Sequence, residues 1–408
     1  MENLRKLHDR WKDVLAGHRP NAEHPALEKE RAVARRLLFV DHCTPTPDED
    51  AGSVVAFEVM RAFLGQGYKV TFIPEDNFAH VGGPTRDLQR IGIEAIYHPA
   101  YSTMAAFLSR RLDPFDVIFL HRFGVGDKHL DALRRKFPAA RVIFLNADMH
   151  YLRELREAEL NGDAAAVASA MRTKESELRV IAKADVALVH SAFEHELLQR
   201  ELPGTEVALF PLIHDPVDDP PALSGREGIC FVGGFRHPPN ADGIAWFVDA
   251  VWPLVLASAP GARLRIAGSH VTPEVQALAA RRGVEVVGFV GDLAAFLGRH
   301  RVNVAPLRYG AGAKGKVAAS IAHGLPVVCT PVAAEGMQLT PGIDVLVGDG
   351  AEELAGHVLA LLNDDGLWHR LSEAGLAHAR NVTSRASASA RIRSLLPGSP
   401  RRQEARGR

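Results

Sequence analysis

The sequence of 408 residues predicts an α/β fold in which two doubly wound domains face each other across a cleft. Three observations lead there. The length exceeds what one hydrophobic core usually supports. Short apolar, β-branched-rich runs alternate with stretches of helical periodicity, the pattern of buried parallel strands and their crossover helices. That alternation occurs twice, interrupted by one proline-rich interval.

The elements follow in order. Residues 1–36 are rich in charge and broken by "GHRPNAEHP"; they read as a short helix, a loop and a second helix leading into the fold, with no chemistry assigned. Residues 37–210 hold the first series, with strands at "RLLFVDH", "YKVTFIP", "FDVIFLH", "ARVIFLN" and "ADVALVH". Residues 211–227, within "FPLIHDPVDDPPALSGREG", are the linker. Residues 228–395 restart the rhythm with "ICFVGGF", "ARLRIAGS", "VEVVGFV", "VNVAPLR", "LPVVCTP" and "IDVLVGD", and residues 396–408 read as a disordered tail. In such a pair the cleft between the domains is the default binding site.

Composition excludes several classes of function. Lys plus Arg number 48 against 49 Asp plus Glu, so no global field favours nucleic acid or a membrane surface, and membrane contact is expected to be peripheral at most. Cys43, Cys230 and Cys329 are scattered and odd in number, which argues against disulfides or a zinc site and for a reducing cytoplasm. Met1 opens a charged stretch instead of a signal peptide, and no segment reads as roughly 20 apolar residues in a row. The expected location is the cytoplasm, extending to the inner face of the membrane.

Chemistry concentrates in glycine-rich strand exits of the second series. "VNVAPLR" runs into "YGAGAKGK", where Gly310, Gly312 and Gly315 allow positive φ and close approach of a ligand. The amides of the following helix, with Lys314, Lys316 and Arg308, suit a diphosphate. "FVGGFRHPPN" adds Gly233, Gly234, Arg236 and His237, and "AGSH" is a third such turn. The alternative is a set of turns with solvated lysines, since each loop alone is weakly specific.

These blocks, "FVGGFRHPPNADGIAWF", "ARLRIAGS", "VEVVGFVGDL", "VAPLRYGAGAKGKVAASIAHGLPVVCTPVAAEGM" and "GIDVLVGDG", resemble in order and spacing the nucleotide-sugar-binding domain of family 4 retaining glycosyltransferases of the GT-B fold. Upstream, "DHCTPTPDEDAGSVVAFEVMRAFLGQGYKVTFIP", "FLNADMHYLRELREAEL" and "ELRVIAKADVALVHSAFEHELL" resemble the acceptor domain of the bacterial polysaccharide-assembly branch. The resemblance covers roughly residues 37–395 and implies two Rossmann-like domains, a nucleotide-diphosphate sugar as donor substrate, a glycan or lipid-linked acceptor, and no metal or cofactor. It also exposes a departure. An ungapped match places the family's two glutamates, seven residues apart, at Ala311 and Ala319. Three readings stay open: donor binding through Lys314, Lys316, Arg236 and amides; a homologue that binds without turnover; or other chemistry on the same scaffold, such as epimerisation.

Other candidates flank the cleft. Glu335, after "LPVVCTP", can accept from donor hydroxyls in place of the missing carboxylates, or only cap a helix. Gly52 lets the backbone approach the donor phosphates from the first domain; Asp48 and Asp50 contact the acceptor or, for Asp50, cap the helix. Asp148 and His150 are placed by the resemblance near the sugar as catalytic candidates, against a capping aspartate and a surface histidine. Arg153 and Arg156, three apart, suit an anionic acceptor, or pair within their helix with Glu157 and Glu159. His121 and Arg122 sit at another switch-side loop, and His190 reads as packed. Ser191 with Glu194 reads as a capping box, and Trp246 and Phe247 as core packing.

Overall fold

The computed structural model describes residues 2–19, 23, 25–47, 51–111 and 114–396. Asp48 and Asp50, and the tail beyond Leu396, lie outside the described residues. Two parallel sheets account for the strands. The first contains β1 (Arg36–Asp41), β2 (Lys69–Pro74), β3 (Glu94–Ala95), β4 (Val117–His121), β5 (Arg141–Asn146), β6 (Val186–Val189) and β7 (Val207–Leu209), in the order β3-β2-β1-β4-β5-β6-β7. The second contains β8 (Ile229–Val232), β9 (Leu264–Ala267), β10 (Val284–Gly288), β11 (Val302–Ala305), β12 (Val327–Cys329) and β13 (Leu346–Val347), in the order β10-β9-β8-β11-β12-β13.

The continuous apolar runs become strands because both faces are covered. In β1, Leu37 and Phe39 join one apolar cluster while Leu38 and Val40 join another on the opposite face, each fully buried. In both sheets the strand order reverses at the middle, between β1 and β4 and between β8 and β11. Those reversals open crevices at the carboxyl ends of the strands, and the loops that leave there face the other domain.

Three features depart from the sequence expectation. The helix Arg385–Leu395, expected with the second domain, packs on the helix Ala51–Gly65 of the first: Ala388, Ile392 and Leu395 share a cluster with Val55, Val59 and Phe63. Arg385 fixes this return by pairing with Glu58 at 2.9 Å and Asp215 at 2.6 Å. Second, the helical run Pro238–Ser258 is long and apolar enough by composition to cross a membrane, contrary to the expectation that no segment is. Its apolarity serves packing instead: Ile244, Phe247, Val251, Trp252 and Val255 are buried in the core of the second domain, while Trp246 is only partly covered. Third, Ser191 caps its helix by accepting from the Glu194 amide, but Glu194 does not close the box; its carboxylate reaches across to the other domain. The three cysteines are free thiols.

Candidate functional site

A cavity of about 650 Å³ lies between the carboxyl ends of the two sheets. The first domain lines it with Gly52 after β1, Arg122 after β4, and Asp148 and Arg153 after β5. The second domain contributes Gly233, Gly234, Arg236, His237 and Asn240 after β8, and Gly310, Ala311, Lys314, Gly315, Lys316 and Ala319 after β11. Both strand-order reversals therefore open on the same space.

The glycine-rich loop after β11 ends in the helix Gly315–Ala322, whose N-cap residue, Lys314, makes no side-chain cap. Gly315 and Lys316 face the cavity, so the first turn of that helix presents amides that no side chain of its own satisfies. Lys314 is buried and its Nζ donates to the Gly312 carbonyl at 2.5 Å. Lys316 donates to Asn240 Oδ1 and lies 4.7 Å above the Phe231 ring centroid. Desolvation, and then the neighbouring Lys314 charge, push Lys316 down to about 7. Asn240 also donates from Nδ2 to the Gly234 carbonyl at 2.7 Å, which ties the β8 turn to the β11 loop. The pairing of Asn240 with Lys316, 76 residues away, was not legible locally.

The remaining residues of that loop are placed differently. Arg308 does not line the cavity: its Nε donates to Asp242 Oδ2 at 2.8 Å, and this ion pair corrects the expectation of a donor contact. Gly312 faces the first domain, not a ligand. Its φ is +70°, its amide donates to Glu194 Oε1 at 2.8 Å, and an added Cβ would meet the Asp148 Cβ at 2.8 Å. Glu194, which the sequence offers only as part of a capping box, joins the domains here instead. It is fully buried, accepts from Met149 N at 2.9 Å as well as from Gly312 N, and its Oε2 has no hydrogen-bond partner among the described residues. Burial pushes its carboxyl up and the Lys314 ammonium down, against their mutual attraction.

On the first-domain side Asp148 accepts from Arg153, and both line the cavity. His150 stands behind them at the start of the helix His150–Asn161, with Nδ1 3.1 Å from Glu177 Oε1 and 3.2 Å from the Asp148 carbonyl. Burial opposes its protonation, but the Glu177 hydrogen bond and the Asp148 charge outweigh that and raise its pKa. Glu177, fully buried on the helix Ala164–Lys183, also accepts from the His150 and Tyr151 amides at 2.8 and 2.9 Å, so it caps the helix on which these candidates sit. Asp41, buried at the end of β1, is 2.9 Å from His121 Nδ1 and 3.1 Å from Arg122 Nε. Burial would raise its pKa, yet the contacts with His121 and Arg122 hold it below the usual range.

Glu335 and Arg156 correct a second expectation. Arg156 Nη1 and Nη2 each lie 2.8 Å from a Glu335 oxygen, and Nη1 also donates to the Gly310 carbonyl at 2.7 Å. Neither residue lines the cavity. A carboxylate that holds a bidentate guanidinium is spent on the domain seam instead of donor hydroxyls, and Arg156 does not converge with Arg153 on one anion. The in-helix partners do not form either: Glu157 accepts from Tyr309 at 3.0 Å, another contact across the seam. Beside it the Ala192 amide donates to the Gly336 carbonyl at 3.0 Å, and Gly336, at φ +71°, packs so closely on Ser191 that no Cβ fits. Among the described residues no group of three or more His, Cys, Asp or Glu side chains is placed to hold a metal.

Residues 226–364 match the family model described as "Glycosyl transferases group 1", which covers the second domain from the end of the linker through β13 and the next helix. No curated protein matches the chain. Among solved structures, sucrose-phosphate synthase from Thermosynechococcus elongatus superposes with a TM-score of 0.68 at 16% identity, over 88% of this chain and 98% of that one. TarM gives 0.70 at 8% identity, over 89% and 98%. HepE of Anabaena, in complex with UDP-glucose, gives 0.64 at 12% identity, over 88% and 98%. These likenesses show the fold: two Rossmann-like domains in the GT-B arrangement of glycosyltransferases.

Proposed function

We propose that the protein is a glycosyltransferase that takes a sugar from a nucleotide-diphosphate donor and passes it to a glycan or lipid-linked acceptor. One observation carries the reading: the uncapped helix start at Gly315 and Lys316, with Lys314 and Arg236 beside it, opens on a cavity shared by both strand-order reversals. Negative charge that develops on a departing diphosphate meets oriented amides and cations there. Gly52 brings the first domain's backbone to the same space. Asp148 is the carboxylate on the cavity wall available to the acceptor hydroxyl, with Arg153 fixing its position and His150 supporting it from behind. Complexes of similar folds with UDP and UDP-glucose, as in Anabaena HepE, favour a uridine nucleotide as the first donor to test.

The finer parts of the reading rest on the family 4 resemblance: retention of anomeric configuration, independence from metal or other cofactors, a role in surface-polysaccharide assembly, and a place in the cytoplasm or at the inner face of the membrane. The amides and lysines supply the neutralisation that a divalent ion would otherwise provide.

A second reading is favoured by Ala311 and Ala319. Both line the cavity with no polar side-chain atom, where the family pattern has carboxylates. A binding protein without turnover would follow. Release of nucleotide diphosphate from a panel of nucleotide sugars, lost in Lys316→Ala, separates the two. Donor binding by thermal shift with no release under any acceptor supports the binding protein, and failure of every nucleotide sugar to bind refutes both.

A further inference from the structure

The helix Glu2–Leu15 has no buried residue. Leu4 is 69%, Leu7 55%, Trp11 46%, Val14 53% and Leu15 39% exposed. At 3.6 residues per turn these five side chains form one stripe about 100° wide, the width a helix normally turns toward a core. Among the described residues no core meets it.

The charges on the rest of the helix are ordered. Arg10 and Lys6 run along one flank of the stripe, and Lys12 and Arg5 along the other. Glu2, Asp9 and Asp13 gather near the opposite pole, with Lys6 paired to Glu2 at 3.0 Å. Packing against a second copy of the same helix would set basic flank against basic flank, which opposes association. A lipid surface with anionic headgroups meets every part of the pattern. The apolar stripe enters the acyl boundary, Trp11 suits the interface, the flanking bases reach headgroup phosphates, and the acids face water.

We propose that Glu2–Leu15 is an in-plane anchor for an anionic lipid surface. The arm joins the body through Glu30, which pairs with Lys69 and lies 3.5 Å from Arg36, the first residues of β2 and β1. That is the end of the first sheet away from the cavity. The inference is independent of glycosyl transfer, because lipid binding and nucleotide binding are read separately.

The test uses the full chain and cosedimentation with vesicles of phosphatidylcholine alone or mixed equally with phosphatidylglycerol. Binding to the mixed vesicles is expected to exceed that to the neutral ones roughly tenfold and to weaken with salt. Leu7→Glu with Trp11→Glu is expected to abolish it, and Arg10→Glu with Lys12→Glu to remove the preference for anionic lipid. Unchanged thermal melting of both variants shows that the body remains folded. No binding to mixed vesicles, or equal binding by the Leu7→Glu/Trp11→Glu variant, overturns the proposal. So does light scattering that finds a dimer which that variant dissolves while vesicles stay unbound; the stripe then belongs to a second copy.

Discussion

The loop after β11 and the segment after β5 face the same cavity by different means. Residues 310–316 present backbone: glycines, a helix start without a side-chain cap, and two lysines held in place by Gly312 and Asn240. Residues 148–156 present side chains already engaged with one another or with the opposite domain: Asp148 with Arg153, His150 with Glu177, Arg156 with Glu335. The first arrangement leaves donor groups free for an anion. The second fixes the position of the wall that faces it. Open backbone donors and paired side chains are thus divided between the domains.

The largest effect is expected at Lys316. Lys316→Ala is expected to weaken UDP binding by about 1.5–3 kcal/mol, roughly ten- to a hundredfold, through loss of a charge-assisted contact; calorimetric titration measures it, and an unchanged Kd sinks the assignment of the loop. Gly312→Ala attacks the place where the two segments touch. The positive φ and the contact with Asp148 predict a loss of about 1–3 kcal/mol in denaturant unfolding, with UDP binding weakened in parallel. A double-mutant cycle of Arg156→Ala and Glu335→Gln is expected to give a coupling of about 1–2 kcal/mol in stability, whereas additive effects would mean that the seam does not depend on the pair.

Acidity sharpens the contrast further. A bound diphosphate favours protonated Lys316, whose pKa in the free protein is about 7, so above that value binding takes up a proton. UDP affinity should be greatest below about pH 7 and fall by up to about tenfold per unit as pH rises beyond it; a flat profile to pH 9 would contradict this. The smallest effect belongs to Arg308→Ala, expected to change UDP affinity by less than about 0.5 kcal/mol because Asp242 already holds the guanidinium.

What the sequence made legible follows the range of the interactions. Strands such as Arg36–Asp41 were visible because an uninterrupted apolar run is a local signal, and the glycine loop because its conformation is set within a few residues. The partnership of Arg156 with Glu335 spans 179 residues and depends on how two domains meet. No spacing rule reaches that far, so charged residues near the cleft were assigned to ligands when the domain seam had already claimed them. Glu194 shows the same limit. Its position three residues after Ser191 satisfies a local capping rule, yet a buried carboxylate goes where amides are left over, and those belonged to Met149 and Gly312. The stripe on Glu2–Leu15 was present in the sequence too, but its lack of a packing partner became visible only in three dimensions.

The return of Arg385–Leu395 to the first domain has a mechanical consequence. The chain crosses between the lobes twice, once near residue 211 and again before Arg385, where the His214 amide donates to the Thr383 carbonyl at 2.7 Å. Two adjacent crossings tie the domains together by two strands of chain at one place instead of one. Because the final helix packs on the very helix that carries Gly52, the last segment of the chain buttresses one wall of the cavity from the first domain's side.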